Sequence, residues 1–254
     1  MQGRVLNQFS MDEYNDYFRI ATTTQVNGNT QNNLYILNMN LSIVGKLENI
    51  TLAFNERIDS ARFIGNRCYL ATSVVLRDPF LVIDVENASD PKVLGYLKIP
   101  GFTRYLHPYD ANHIIGIGRD ENNNVKISLF NVNNVNAPIE IDKYAVNGTW
   151  SDTPVLTDHK AFLFDKFKDL LAFPVSIYDN YPMWQGVYVF NITSSMGIKL
   201  RGNVTHQGDS MYFSSYYWIE RAFYIENVLY TVSDMKVKLN NLEDLMLIKE
   251  IDLS

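Results

Sequence analysis

A six-residue pattern recurs five times along the chain, and its spacing restricts the folds that the chain can adopt. Each copy is mostly apolar and carries Asn or Asp at its fifth position. The copies lie at residues 34–39, 80–85, 127–132, 187–192 and, more loosely, 237–242. Their fifth positions, which are 46, 47, 60 and 50 residues apart, are Asn38, Asp84, Asn131, Asn191 and Asn241. A period of this size is typical of propeller blades or solenoid units.

Turn-forming residues follow and precede these copies. Asn, Asp, Ser and Pro are concentrated at 86–91 and 133–138, where they favour a hairpin between the strand carrying the pattern and the next strand. A second hairpin precedes the later copies, with turns at 65–66, 111–112, 158–159 and 226–227. We therefore predict units of four antiparallel strands, named a to d, in which the recurring pattern is strand c. In the first unit the predicted strands are 5–11, 17–23, 34–39 and 43–47, and 24–32 is a b–c loop.

The predicted fold is an all-β, propeller-like array of about five four-stranded antiparallel blades. Five units of this length match propeller blades, and a helical solenoid is excluded because stretches with a 3.6-residue period are nearly absent. Hydrophobic residues make up 46% of the 254-residue chain, so it can form a large core. We predict one domain over residues 1–254. The predicted blades span residues 5–50, 57–100, 102–147, 153–206 and 216–254.

Composition excludes several classes of function. The net charge is −6 and no basic block is present, so we predict no nucleic-acid partner. No apolar run reaches the length of a membrane span and no signal peptide is visible, so we expect no direct membrane insertion. Cys68 is the only cysteine, which rules out an intramolecular disulfide. Its strand-like surroundings predict a small buried hydrophobic residue rather than a catalytic thiol.

Several segments are distinctive in order and sequence. They are residues 9–15 with 18–22, 106–110, 116–118 and 158–165. Together they resemble the family of secreted prokaryotic proteins, common in archaea, that carry a C-terminal β-propeller domain. The resemblance covers nearly the whole chain and corresponds to the C-terminal part of those proteins. It implies a propeller fold and an extracellular or cell-surface location, and it implies no particular activity.

Two long connections carry the strongest functional signal. We attribute the 60-residue spacing to a long b–c loop in the fourth unit, at 178–186, and the d–a connection at 207–218 is also long. Strands alternate in direction, so both connections should emerge together at one edge of the blade. Aromatic and Met-rich loops on a rigid scaffold suit binding, although the rings can instead fold back onto the sheet. The predicted binding residues are Tyr178, Tyr181, Met183, Trp184, Met211, Tyr212, Phe213 and Tyr216.

Arginines on the first strand of several units suggest a second site. Arg62, Arg104 and Arg221 fall there, and in a propeller this strand lines the central channel. Such arginines can hold an anion or a carboxylate ligand by bidentate hydrogen bonds. Pairing with acidic residues between blades is the alternative explanation.

The leading functional hypothesis is a non-catalytic extracellular or cell-surface module that binds an unknown protein or glycan. One alternative is a glycan hydrolase or lyase using Asp152 and Glu220 as facing carboxylates. The other is a purely structural section of a larger surface protein. His107, Asp110, Asp158 and His159 look like an acid–base set, but we assign Asp158 and His159 to a turn. We predict no metal site and no cofactor, because ligand spacings and nucleotide-binding motifs are absent. Glycosylation sequons begin at Asn40, Asn49, Asn87, Asn147, Asn191 and Asn203.

Overall fold

The computed structural model describes residues 1–73, 77–179, 183–208 and 214–253. Within these residues the strands form five antiparallel sheets, each built from strands that are consecutive in the chain. The only helical segments among them are single turns of 3-10 helix. The prediction of an all-β fold with five four-stranded blades is therefore confirmed.

The first three blades each contain four strands arranged in chain order across the sheet. Blade 1 contains β1 (Met11–Tyr14), β2 (Tyr17–Val26), β3 (Asn29–Asn38) and β4 (Ile43–Leu47). Blade 2 contains β5 (Arg57–Ile64), β6 (Arg67–Ser73), β7 (Arg77–Asp84) and β8 (Lys92–Pro100). Blade 3 contains β9 (Phe102–Asp110), β10 (His113–Arg119), β11 (Val125–Asn131) and β12 (Ile139–Ala145).

The last two blades differ in how they begin. In blade 4 the first strand is split in two, and both halves pair with the second strand. Blade 4 contains β13 (Trp150–Asp152), β14 (Leu163–Asp165), β15 (Leu170–Tyr178), β16 (Trp184–Thr193) and β17 (Gly197–Val204). Blade 5 contains β18 (Arg221–Ile225), β19 (Val228–Val232), β20 (Lys236–Asn241) and β21 (Leu247–Asp252).

The split strand of blade 4 corrects the predicted hairpin with a turn at Asp158 and His159. Two 3-10 turns, Pro154–Leu156 and His159–Ala161, stand between β13 and β14. Proline has no N–H to give to a strand ladder, so the strand stops at this point. The a–b turn lies instead at Lys166–Lys168, where Asp165 Oδ1 accepts the Phe167 N–H over 2.8 Å.

The 60-residue spacing also has a different origin from the predicted long b–c loop. The distance from the recurring residue of one blade to the a–b turn of the next blade is longer before blade 4 than before blade 3. It is 28 residues from Asp84 to Asn112 and 38 residues from Asn131 to Asp169. From the turn to the next fifth position the distance is 19 residues in blade 3 and 22 in blade 4. The added residues therefore lie mostly in the first strand, and the b–c loop contributes little.

Blade 1 also departs from prediction. The 24–32 segment, predicted as a b–c loop, consists largely of the ends of β2 and β3, which pair from Thr24 to Val26 with Asn29 to Gln31. The two-residue turn between the strands is Asn27-Gly28, with φ of 53° and 81°. Asn and Gly tolerate such positive φ values, which makes Asn-Gly a preferred two-residue hairpin turn. The first strand is shorter than predicted and begins at Met11.

The recurring Asn or Asp starts the turn after strand c, as predicted. Its side-chain Oδ1 accepts a backbone N–H two residues later in four blades, from Asn40, Glu86, Asn133 and Glu243. The N–H after the recurring residue donates to the carbonyl of the blade's own a–b turn in blades 2 to 5. These donors are Val85, Val132, Ile192 and Leu242, over 2.8–3.1 Å. The pattern thus ties the two turns at one edge of each of these blades.

The chain divides into two compact units: Met1–Glu121 with Ser128–Ile141, and Asn122–Ile127 with Asp142–Ser254. Inside each unit, apolar faces of neighbouring blades pack together. In the first compact unit Phe80 of blade 2 and Phe130 of blade 3 stack with ring centroids 4.6 Å apart. In the second unit Val189 of blade 4 and Leu229 of blade 5 belong to one buried cluster. The prediction of a single domain over residues 1–254, with its blade limits, stays a prediction.

Close blade contacts in the first unit depend on glycine. A Cβ added to Gly95 on β8 would lie 2.5 Å from the Val135 carbonyl oxygen in the c–d turn of blade 3.

Cys68 is fully buried in the core of this unit, and burial raises the pKa of its thiol, as expected for a packing residue. Among the described residues, no helix is long and apolar enough to cross a membrane.

Candidate functional site

The two connections predicted to be neighbours at one edge of blade 4 are bonded to each other. We call this edge, where the b–c and d–a connections emerge, the b–c edge. The Gln207 side chain donates to the Met183 carbonyl over 3.2 Å and accepts the Gln185 N–H over 2.9 Å. Thr205 Oγ1 donates to the Gln185 carbonyl over 2.6 Å. The prediction that these connections lie together is confirmed.

A buried amide fixes the base of this edge to the next blade. Gln185, which is 3% exposed, donates from Nε2 to the Ile219 carbonyl over 3.0 Å. Its Oε1 accepts the Ile219 N–H over 2.8 Å. Both polar groups of the side chain and both backbone groups of Ile219 are satisfied, so the d–a connection has a defined end point before β18.

Aromatic side chains flank the b–c edge on both faces of blade 4. Tyr178 and Trp150 are paired in the sheet, with ring centroids 4.6 Å apart. Trp184 is paired with Ile177, the residue before Tyr178, so its side chain lies on the opposite face. There its ring meets Tyr188 edge-on at 5.4 Å. Tyr178 and Trp184 are half-buried, so each keeps part of its surface in solvent.

The remaining predicted binding residues differ in exposure, and four of them lie outside the described residues. Met183 is half-buried at the start of the b–c edge, and Tyr216 is 62% exposed in the 3-10 turn Ser215–Tyr217. The Tyr216 carbonyl accepts the Met235 N–H over 3.2 Å, which places this turn against blade 5. Tyr181, Met211, Tyr212 and Phe213 lie outside the described residues. The described members of the set are therefore not all packed into the sheet.

The three first-strand arginines have individual partners. Arg62 stacks on Phe9 with its guanidinium carbon 4.2 Å from the ring centroid, and burial lowers its pKa. Arg104 lies 3.8 Å from a carboxylate oxygen of Asp59, which is 2% exposed. Arg221 pairs with Asp158 at 2.5 Å. Pairing with acidic residues thus accounts for two of the three, and the anion site shared by all three stays a prediction.

Arg221 of blade 5 anchors the inserted 3-10 turns of blade 4 through Asp158. Asp158 caps the second 3-10 turn by accepting the Lys160 N–H over 2.9 Å. Its other oxygen pairs with Arg221 on β18 of blade 5. These bonds lower the pKa of Asp158, the backbone bond from Lys160 most strongly. Asp158 is therefore a cap and an inter-blade anchor.

The remaining acid–base candidates have structural partners. His107 Nδ1 lies 3.0 Å from the Tyr105 hydroxyl, and Asp110 bonds His113 at 2.8 Å. Burial, together with the charge of Arg62, lowers the pKa of His107 to about 4. Asp152 is half-buried on β13, and Glu220 is exposed next to β18. In the part of the chain that the structure describes, no group of three or more His, Cys, Asp or Glu residues has the geometry of a metal site.

A set of buried amides at the start of strand c was not predicted from the sequence. Asn32 donates to the Ile50 and Glu56 carbonyls over 3.3 and 3.2 Å, and Asn124 donates to the Gly148 carbonyl over 3.3 Å. Gln185 does the same with Ile219. Their regular position in the repeat could have revealed them, because these amides lie six or seven residues before Asn38, Asn131 and Asn191. They hold the d–a connections, and hence the b–c edges, in place.

His206 was also missed as a site residue. It is 2% exposed on the d–a connection of blade 4, with Nδ1 2.9 Å from Ser233 Oγ and Nε2 2.8 Å from Thr231 Oγ1. Burial lowers its pKa to about 4, and the nearby Lys238 and Lys236 act in the same direction. The neutral imidazole therefore joins the b–c edge to blade 5.

Comparison with known proteins agrees with this architecture. Residues 1–245 match the sequence model of the beta propeller domain. An uncharacterised protein of Methanocaldococcus jannaschii is 39% identical over 99% of the chain, and one of Archaeoglobus fulgidus is 37% identical over 93%. The chain spans 37% and 36% of the lengths of these relatives.

A solved structure, Sqt1 of Chaetomium thermophilum, gives a TM-score of 0.46 at 10% identity. The match covers 93% of this chain and 69% of that one. A likeness this distant supports no inference about the present protein.

Proposed function

Because the chain belongs to the beta propeller domain family, we propose that it is a non-catalytic binding module with its ligand or partner at the b–c edge of blade 4. The observation that carries the proposal is the aromatic surface of that edge. Tyr178 and Trp184 present half-buried rings on opposite faces of one blade, and Tyr216 is exposed on the d–a connection that follows this blade.

The rigidity of the edge supports the same proposal. The bonds among Met183, Gln185 and Gln207 and the bonds from Gln185 to Ile219 hold the two connections together. Rings that are already fixed lose little conformational entropy when a ligand stacks on them. Aromatic residues on fixed backbones are also common among residues that dominate binding energy.

The ligand class that fits is a glycan or an apolar segment of a partner protein, and the proposed location is extracellular or at the cell surface. Sugar rings present flat apolar faces that stack on aromatic side chains. The location rests on the family resemblance. Exposed sequons at Asn40, Asn49, Asn87, Asn147 and Asn203 are compatible with it. Protease treatment of intact cells, followed by detection of the protein, tests the location.

Glycan-array binding tests the ligand class. The array is probed with the wild-type protein and with Tyr178→Ala, Trp184→Ala and Tyr96→Ala. Tyr96 is a matched control because it is 49% exposed on β8 of blade 2 and does not belong to the proposed surface. We expect either edge variant to weaken binding by about tenfold, since truncating a ring that contributes strongly to binding costs roughly 1–2 kcal/mol.

Two results would overturn the proposal. One is a Tyr96→Ala variant that loses as much affinity as Tyr178→Ala. The other is a ligand whose affinity is unchanged in both edge variants. Release of shortened glycans from the array would instead favour the alternative of a glycan-processing enzyme.

A further inference from the structure

A cleft of about 250 Å³ lies between blades 4 and 5 of the second unit. Its lining comes from the a–b turns of blades 4 and 5, the c–d turn of blade 5 and strand β17. The lining residues are Lys168, Arg201, Asn227, Asn241, Leu242 and Glu243. None of them belongs to the binding surface proposed above, so the cleft is a separate site.

Hydrogen bonds between backbone groups hold the walls of the cleft. The Asp169 carbonyl accepts the Ile192 N–H over 2.8 Å, and the Asn227 carbonyl accepts the Leu242 N–H over 2.9 Å. Arg201 then bridges the two blades by donating from Nη1 to the Leu242 carbonyl over 2.5 Å. The cleft is therefore formed before any ligand arrives.

The two cations of the cleft are half-buried and bonded to neutral oxygens. Arg201 donates from Nε to the Asn191 side chain over 2.9 Å, and Lys168 donates to the Asn227 side chain over 3.3 Å. Neither forms an ion pair with any residue that the structure describes. Three other buried or half-buried cations do so: Arg19 pairs with Asp12, Arg67 with Asp84, and Lys236 with Glu250.

Arg201 is partly buried, and the carboxylates near it lie beyond ion-pair distance. Burial lowers its pKa, and the more distant carboxylates of Glu243 and Asp169 oppose that shift. A partly desolvated guanidinium without a contacting anion gains from binding one, because charge-assisted hydrogen bonds are stronger than those to neutral acceptors. The cleft thus favours an anionic group on its ligand.

The other polar groups favour hydroxyls. Asn227 and Asn241 use their Oδ1 atoms to accept Lys168 Nζ and the Glu243 N–H, and their amide nitrogens have no partner among the described residues. The Glu243 carboxylate likewise accepts no hydrogen bond from them and lines the cleft. The site therefore offers free amide donors and one free carboxylate beside its two cations, which is the complement of a hydroxylated ligand.

We propose that this cleft binds a small hydroxylated ligand with one carboxylate, of the size of a single hexuronic acid. The carboxylate lies between Lys168 and Arg201, and the hydroxyls bond Asn227, Asn241 and Glu243.

Calorimetric titration of the intact chain tests the proposal with four probes: glucuronate, galacturonate, glucose and sulfate. We expect at least one hexuronate to bind and glucose to bind at least about tenfold more weakly, since it lacks the charge-assisted bond. Lys168→Gln should weaken hexuronate binding by about tenfold or more, and Lys168→Arg should retain most of it. Lys199→Gln, at an exposed lysine outside the cleft, is the matched control and should bind as the wild type does.

The outcomes separate the possibilities. Absence of hexuronate binding, or equal binding in Lys168→Gln and the wild type, overturns the site. Glucose binding as tight as that of the hexuronates overturns the role of the carboxylate, and sulfate binding as tight as theirs overturns the role of the hydroxyls. Trp184→Ala should leave hexuronate binding unchanged, so failure here is distinct from failure of the proposed function at the b–c edge.

Discussion

Gln185 and Ile219 bond each other twice, with the Gln185 side chain donating to the Ile219 carbonyl over 3.0 Å and accepting its N–H over 2.8 Å. The two residues are 34 positions apart, and the segment between them contains strand β17 and the whole d–a connection. One side chain therefore completes the backbone hydrogen bonding of the residue that leads into blade 5. Asn32 and Asn124 make related bonds in other blades, so the device recurs with the repeat.

Removing this amide should destabilise the protein. In Gln185→Ala the N–H and carbonyl of Ile219 lose their partners in a buried place, and each unsatisfied group costs roughly 1–3 kcal/mol. We expect the free energy of unfolding to fall by about 2–4 kcal/mol, measured by urea denaturation. Gln25→Ala is the control, because Gln25 is exposed on β2. Equal stability of the two variants would contradict the assigned role of Gln185.

A second prediction concerns the ion pair between buried Arg19 and half-buried Asp12 in blade 1. Arg19 is 2% exposed, donates to both Asp12 oxygens over 2.8 and 2.6 Å, and donates to the Gly65 carbonyl over 2.6 Å. Asp12→Ala leaves a buried guanidinium without its anion, which costs about 3 kcal/mol. Glu13→Ala changes the neighbouring exposed carboxylate and should cost less than about 0.5 kcal/mol. Thermal or urea unfolding measures both, and a small loss in Asp12→Ala would argue against the pair.

The scaffold was predictable because local chemistry repeats with it. The side chain of the recurring Asn or Asp accepts the backbone N–H two residues later. This local hydrogen bond occurs at every c–d turn except the one after Asn191. In blade 4 the Asn191 side chain instead accepts Arg201. Even there the strand order followed the repeat, because the apolar faces of β15 and β16 still pack into the core.

Blade 4 contains the features that the sequence did not predict. Asp158 and His159 stand at the repeat spacing for an a–b turn, but Asp158 caps an inserted 3-10 turn and pairs with Arg221. Nothing in the local sequence reveals a partner 63 residues away. The b–c edge was located correctly because strand direction alone brings its connections together. The amide that fixes it and the cleft at the opposite turns depend on contacts between blades, which one sequence does not display.

The third prediction concerns His206 and the pH dependence of stability. The pKa of its imidazole is about 4 in the folded chain and about 6.5 when the chain is unfolded. The unfolded state therefore binds more protons between these values. Stability is fully present above about pH 6.5 and is lost as the pH falls towards 4. His206 alone should lower the free energy of unfolding by about 2 kcal/mol between pH 7 and pH 5.

Urea denaturation at pH 7 and pH 5 measures this loss in the wild type and in His206→Gln. The glutamine side chain can still bond Ser233 or Thr231 but does not titrate, so the variant should lose about 2 kcal/mol less than the wild type over this interval. His107 has a lowered pKa for the same reason, mainly burial, so His107→Gln should remove a comparable part. The double variant should therefore have a shallower pH dependence than either single variant. If His206→Gln loses as much stability as the wild type, the imidazole is not held in its neutral form by burial.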